Sequence, residues 1–247
     1  MRLMDIDLRK YLQQRRLTWK ERIKIAYDII LALYRIHKGN AIHRDLHSGN
    51  ILYLQSNNNW YISDLGFCGP ADKPLKSIYG NLPYIAPEVI VGKESTFASD
   101  IYSIGMLMWE ISSGKPPFFN YRYDYDFAMK MVGGMRPKII PGTPLEYKKL
   151  IKQCCDANPL NRPDIKTLFH EIEKLWKDSY NDDNAIESSN TLEYEYDNNS
   201  PKQNSLLINY STSKLYQFGN LPEPKNATEE EQEGNLFKNK YKININN

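Results

Sequence analysis

The run FASDIYSIGMLMWEISS, from Phe97 to Ser113, is apolar on nearly every side when wound as a helix, so it cannot lie on a surface. Other elements must enclose it, and the chain has to build a body large enough to cover all its faces. Gly114 and Pro116–Pro117 end the run. No apolar run approaches the roughly 20 residues that a bilayer span requires.

The rest of the body supplies the cover. Thr18 is followed three residues later by Glu21 and then by Ile23, Ala26, Ile30, Leu33 and Ile36 at helical spacing, which predicts a capped helix over 19–38. Gly39 is expected to stop it in a left-handed conformation. After the segment AIHRDLHSGN come ILYLQ (51–55), a polar cluster of Asn, and WYISD (60–64), which together read as a β-hairpin. If Gln55 pairs with Trp60, Ile51 falls opposite Asp64, and Asn50 and Asp64 share one edge of the hairpin. Further helices are expected across 124–136 and 145–177, with NPLNRP (158–163) as the turn between them. The fold class is therefore mainly α, an α+β body with one small hairpin.

Two units follow from the change of character near Asp178: a folded domain over 1–178 and a tail over 179–247. The tail is rich in Asn, Ser and Glu, with apolar residues too sparse to offset chain ordering, and is expected to be disordered. Its NLPEPKN (220–226) stands out as an extended docking stretch. Six Lys against eleven Asp and Glu give the tail −5, and 26 basic against 19 acidic residues give the body +7. A basic body suits a phosphate-handling surface, or is simply a solvated face. Cys68, Cys154 and Cys155 match no zinc spacing and no disulfide framework, and read as reduced thiols. The N-terminus lacks the pattern of a secretory signal, which places the chain in the cytoplasm, with the nucleus as the alternative.

Asp45, Asn50 and Asp64 are the residues in this frame with chemistry to do. A carboxylate can accept the hydrogen bond of an acceptor hydroxyl and orient it, which is the part given to Asp45. An amide oxygen and a second carboxylate, Asn50 and Asp64, suit magnesium, a hard ion that prefers oxygen ligands. Phosphoryl transfer asks for those groups and for positive charge on the phosphate oxygens.

HRDL followed by three residues and Asn, then DLG (64–66) and APE (86–88), resemble the catalytic loop, metal motif and activation-segment end of eukaryotic protein kinases. The 25 residues from Asp64 to Glu88 suit an activation segment, and SDIYSIGMLMWEISSGKPPF looks like the family's central buried helix. The resemblance spans about 1–177 and is nearest the Ser/Thr, tyrosine-kinase-like group. It implies ATP and magnesium as cofactors, a protein substrate, a role in signal transduction, and no nucleic acid or membrane partner. A partner kinase is a further expected partner. Asp45, His47 and Asn50 are implied as catalytic, Leu52 and Asp64 as nucleotide-binding, and Asn50 and Asp64 as metal ligands. Structural roles fall to His43 beneath the metal loop, Arg44 as a reader of activation-segment phosphate, Asp100 bracing the loop backbone, and Glu88 paired with Arg162. Taken singly, Asp100 could be a helix N-cap and Arg162 a surface turn residue. Ser77 and Tyr79 are the candidate phosphate acceptors.

Several positions depart from the family. His47 stands where Ser/Thr kinases usually carry Lys, Asn81 where they usually carry Thr, Leu65 replaces Phe, and Cys155 sits where Trp is common, leaving that pocket less well filled. No GxGxxG and no VAIK-like strand occur in the 247 residues, and MRLMDIDLRKYL resembles the hinge and its short helix. The expectation is a C-terminal lobe without the upper lobe, weak or inactive by itself as a kinase acting on Ser or Thr ahead of Tyr. The alternatives are a pseudokinase-like binding module or a fragment of a longer kinase with Met1 internal.

Overall fold

The computed structural model describes residues 4–70, 78–181, 213–228 and 230–231. In chain order the elements are β1 (Ile6–Asp7), α1 (Leu8–Gln14), α2 (Trp19–Lys38), β2 (Ala41–Ile42), β3 (Ile51–Leu54), β4 (Asn59–Ile62), β5 (Gly69–Pro70), β6 (Ile78–Gly80), α3 (Pro87–Ile90), α4 (Phe97–Ser113), α5 (Tyr125–Val132), α6 (Leu145–Cys154), α7 (Ile165–Asn181) and β7 (Lys214–Tyr216). α4 is enclosed as its composition demands, with every residue from Ser99 to Ser112 buried. Gly114 ends it at φ 72°, in the left-handed region where a side chain would be strained. Arg22 on α2 reaches across to the same end, its Nη1 donating to the Ser112 carbonyl at 2.6 Å and to the Ile111 carbonyl. A cation there satisfies carbonyls that no later helical turn can use.

The packing of α4 on α6 depends on Gly105. A Cβ at that position would lie 2.6 Å from Cys155 Sγ and 2.8 Å from Cys154 Cβ. The pocket around Cys155 is thus closed by helix approach instead of by a large side chain, and Cys155 is only 6% exposed. Both thiols are pushed up by burial, Cys155 to about 11 and Cys154 well above its ordinary value.

α2 begins and ends where its periodicity places it, and the capping box is complete: the Glu21 N–H donates to Thr18 Oγ1 at 3.3 Å and the Thr18 N–H to Glu21 Oε2 at 2.7 Å. Its stop differs from expectation. Gly39 stays at φ −79°, and the left-handed turn is taken by the next residue, Asn40, at φ 55°. Asn tolerates that region because its short polar side chain bonds locally, so the chain reverses one residue later.

The hairpin forms with its register moved by two. Residues 55–57 wind into a 3-10 turn and Asn58 adopts φ 54°, so Leu54 pairs with Asn59 and Ile51 with Ile62. Gln55 is consumed by the turn and does not pair with Trp60. Asn50 and Asp64 still meet at one edge, because the Ser63 N–H donates to the Asn50 carbonyl at 2.8 Å. β1 adds a third strand on the other side of β3, with Ile6 opposite Tyr53 and Asp7 opposite Leu52.

The expectation of an unstructured tail fails in part. Residues 179–181 complete α7, and 213–228 lies extended against the body, with Tyr216, Phe218 and Leu221 packed on the core. β7 pairs antiparallel with β6, Tyr79 opposite Leu215 and Gly80 opposite Lys214. The physical reason is local: Leu215, Tyr216 and Phe218 concentrate apolar, β-prone surface in an otherwise polar tail. Among the described residues no helix is long and apolar enough to cross a membrane.

Gly105→Ala is expected to lower the unfolding free energy by about 1–3 kcal/mol through overpacking, outweighing the roughly 1 kcal/mol that Ala gains in helix propensity. Urea titration of the full chain measures it, and an unchanged or raised midpoint would show that α4 and α6 separate freely.

Candidate active site

The loop between β2 and β3 is held from below by Asp100, in the first turn of α4. Its Oδ2 accepts the His43 N–H at 2.8 Å and its Oδ1 the Arg44 N–H at 2.9 Å. His37 Nε2, from the end of α2, meets Oδ2 at 2.9 Å. These bonds hold Arg44 at φ 73°, a conformation that costs a non-glycine residue about 1 kcal/mol or more and persists only when its surroundings fix it. His43 is fully buried, and its Nε2 lies 3.0 Å from the Ser63 carbonyl, joining the loop to the strand end that carries Asp64.

Asp45 and Asn50 are brought together by the same turn. Asn50 Nδ2 donates to the Asp45 carbonyl at 2.9 Å, with Asp45 Oδ2 at 3.5 Å, and the amide oxygen takes no bond from the described residues. Asp64 adopts φ 56° just beyond β4, is exposed, and stands close enough to Asp45 to raise its affinity for a proton. Burial is the larger cause of that rise, and bonds from Ser213 and Asn50 work against it. The three sequence-predicted residues therefore converge, two carboxylates and an amide oxygen, all hard donors with excess negative charge. Among the described residues no group of three or more His, Cys, Asp or Glu gathers as a metal site, so any hard cation held here relies on Asn50 as well.

A residue that the sequence reading did not single out completes the site. Ser213, from the start of the docked tail segment, donates its hydroxyl to Asp45, with Oγ 2.8 Å from both Oδ1 and Oδ2. His47 Nε2 lies 3.1 Å from the same oxygen. Because the Gly49 N–H donates to His47 Nδ1 at 3.1 Å, the neutral imidazole carries its hydrogen on Nε2 and donates it to Ser213 Oγ. Burial, then the nearby Arg9 and His43, pushes His47 down to about 3. His47 is thus a neutral donor to the acceptor oxygen.

The remaining predicted residues are placed as follows. Glu88 and Arg162 form a buried two-pronged pair, Nη1 to Oε1 and Nη2 to Oε2, each 2.7 Å. Arg162 also donates to the carbonyls of Asp156 and Ala98 at 2.8 Å, tying α3 to the turn before α7. Arg44, expected to read a phosphate, donates to the carbonyls of Phe67 at 3.0 Å and Pro70 at 2.9 Å. Leu52 is half-buried on β3, between Asp7 and Tyr61. Tyr79 lies in β6 with its ring stacked 4.0 Å from that of Phe67, and Ser77 lies outside the described residues.

A second polar cluster also escaped the sequence reading. Tyr84 donates to Glu110 Oε2 at 2.6 Å, Arg9 Nε donates to Ser48 Oγ at 3.0 Å, and Ser48 Oγ lies 3.5 Å from the Tyr84 hydroxyl. It pins α1, the loop between β2 and β3 and the turn at Tyr84 to the middle of α4. Burial holds both Glu110 and Tyr84 above their ordinary values. The visible signal was a second carboxylate, Glu110, well past the first turn of α4 that Asp100 occupies and set among apolar residues.

Comparison with known proteins follows the same outline. The protein kinase domain family model matches residues 1–172. The dual specificity protein kinase zakA of Dictyostelium discoideum is 34% identical over 171 residues, 62% of this chain and 22% of its own length. The human dual serine/threonine and tyrosine protein kinase is 35% identical over 151 residues, 60% of this chain and 16% of its own. The chain spans less than a quarter of the length of these relatives.

The low proton affinity of His47 gives a signed pH effect. An unfolded imidazole titrates near 6.5, so below that pH the unfolded chain binds a proton that the folded chain refuses. The stability from neutral His47 is complete above pH 6.5 and is lost as pH falls from 6.5 towards 3. Asp45 and Glu110, held above their ordinary values, act in the opposite sense, so the measurement is a difference. Between pH 7.5 and 5.0 the wild-type chain is expected to lose about 2 kcal/mol more unfolding free energy than His47→Asn in parallel urea titrations. Equal losses would place the imidazole in contact with water.

Proposed function

This chain belongs to the protein kinase family, and we propose that it transfers the terminal phosphoryl group of ATP to protein hydroxyls in signalling, Ser or Thr ahead of Tyr. The observation that carries this reading is the serine oxygen held 2.8 Å from both oxygens of Asp45. A short aliphatic hydroxyl reaches the base directly, one residue ahead of a strand that pairs with the activation segment through β6. The names of the relatives, one dual specificity and one serine/threonine and tyrosine, support keeping Tyr as a second acceptor.

Asp45 orients the hydroxyl and receives its proton as the oxygen is phosphorylated. Its raised proton affinity, caused chiefly by burial and secondarily by the Asp64 charge, suits that step. His47 positions the attacking oxygen as a neutral donor, without the fixed positive charge that a lysine would bring to the transferring phosphate. Asn50 and Asp64 are the residues that would hold magnesium, and the ion supplies charge neutralisation to the phosphate oxygens. The 247 residues hold no glycine-rich phosphate loop, and preorganised charge on phosphates is worth several kcal/mol of barrier in such sites. Turnover by this chain alone is therefore expected to be slow.

Incubation of the full chain with Mg-ATP and a generic protein substrate tests the reading. Phosphate transfer is expected to fall by about 10²–10⁴ in Asp45→Asn. Transfer that survives the substitution, or none in the wild-type chain under prolonged labelling, would overturn it.

A further inference from the structure

The segment 213–227 makes a continuous set of specific contacts with the body, and they end on the catalytic carboxylate. β7 pairs with β6 in register, and Tyr216 and Phe218 stack on each other with ring centroids 5.5 Å apart. The Lys225 N–H donates to the Val132 carbonyl at 3.1 Å. Asn226 is held at both ends of its amide: Oδ1 accepts the Ala157 N–H at 2.8 Å and Nδ2 donates to Asp156 Oδ1 at 3.1 Å. Gly134, at φ 96°, leaves room for this passage, since a Cβ there would lie 2.2 Å from the Ala227 nitrogen. Glu223 pairs with Lys93 at 2.6 Å, one contact between the acidic tail and the basic body.

Serine placement at the end of this track is not a by-product of generic packing. Its hydroxyl is shared between Asp45 and His47, the two side chains that the proposed reaction uses on an acceptor. We propose that residues 213–227 occupy the protein-substrate site of their own chain and that Ser213 is phosphorylated there in cis. This rests on the phosphotransferase reading above. Ser213 Oγ forms a bond to the γ-phosphorus of ATP while the bond from that phosphorus to the bridging oxygen breaks, its electron pair leaving on ADP. The hydroxyl proton passes to Asp45 and then to solvent.

Tether length and charge both fit. The 31 residues between Asn181 and Ser213 can reach as far as about 100 Å when extended. A covalent connection that spans the gap makes docking intramolecular and raises the effective concentration of Ser213 above that of a second molecule in dilute solution. The product differs from the reactant in charge: phosphoserine carries about −1.5 to −2 at neutral pH and would face Asp45 and Asp64. Like-charge repulsion then releases the segment, so the docked serine blocks the site until it is modified and opens it afterwards.

The test uses the full chain with Mg-ATP at protein concentrations spanning tenfold, a generic protein substrate in parallel, and phosphopeptide mapping by mass spectrometry. Phosphate is expected on Ser213 with a first-order rate constant that changes less than twofold across the dilution, and none in Asp45→Asn. Tyr216→Ala combined with Asn226→Ala, which removes docking contacts outside the catalytic residues, is expected to slow Ser213 labelling at least tenfold while leaving transfer to the generic substrate equal or faster. Transfer to the generic substrate with Ser213 unlabelled would overturn the proposal and leave the phosphotransferase reading standing. If neither is labelled, phosphotransfer fails for both. Hydrogen exchange on the same full chain then judges the docking: protected amides at 214–216 that become exchangeable in the double variant support it, and free exchange in the wild-type chain overturns it.

Discussion

Asp100 carries more of this structure than any other single side chain. Its two oxygens accept consecutive backbone N–H groups, those of His43 and Arg44, and one of them also meets His37. A carboxylate buried in this way is tolerable only because its charge is spread over several donors and faces the positive end of α4. In return it fixes a backbone turn that would otherwise relax, since Arg44 sits at φ 73°. Everything downstream inherits that geometry. His43 is aimed at the Ser63 carbonyl, Asp45 follows at the next position, and Asn50 closes back on the Asp45 carbonyl. The buried helix α4 thus serves as the reference surface for the loop between β2 and β3.

Above that base, the site combines a carboxylate that resists losing its proton with an imidazole that resists gaining one. Burial causes both shifts, acting in opposite directions on an acid and a base. The Ser213 hydroxyl thus lies between a carboxylate that accepts its hydrogen bond and a neutral imidazole that donates one. A lysine at position 47 would add a fixed charge to this pocket and compete with the hydroxyl for Asp45. The histidine instead brings no fixed charge of its own to the loop, since burial keeps it neutral.

Much of the body could be read from residue pattern because the physical causes are local. The capping box at Thr18 and Glu21 and the all-round apolar character of Phe97–Ser113 each fix an element without reference to distant contacts. The hairpin register was missed by two because the Asn cluster absorbs Gln55 into a 3-10 turn, a choice that hydrophobic alternation does not encode. Asn40, not Gly39, turns left for a similar reason, since either residue can adopt the region. Asp45, Asn50 and Asp64 were legible from motif order, whereas Ser213 lies 168 residues from Asp45. Nothing short-range marks a serine as the partner of so distant a carboxylate. Only the cluster Leu215, Tyr216 and Phe218 in a polar tail hinted that the chain returns to the body there.

The tight seat of Gly105 against Cys154 and Cys155 also bears on how this protein meets oxidants and alkylating agents. Thiolates, not thiols, react, and both of these sulfurs are buried and hold their protons well beyond neutral pH. While α4 and α6 stay together, the neighbouring pair is chemically silent, and Cys68, only partly covered just beyond Asp64, is the sulfur that reagents meet first. Once the helices part, two adjacent nucleophiles appear together. The rate at which they are consumed then reads out the opening of the core itself, without any added label.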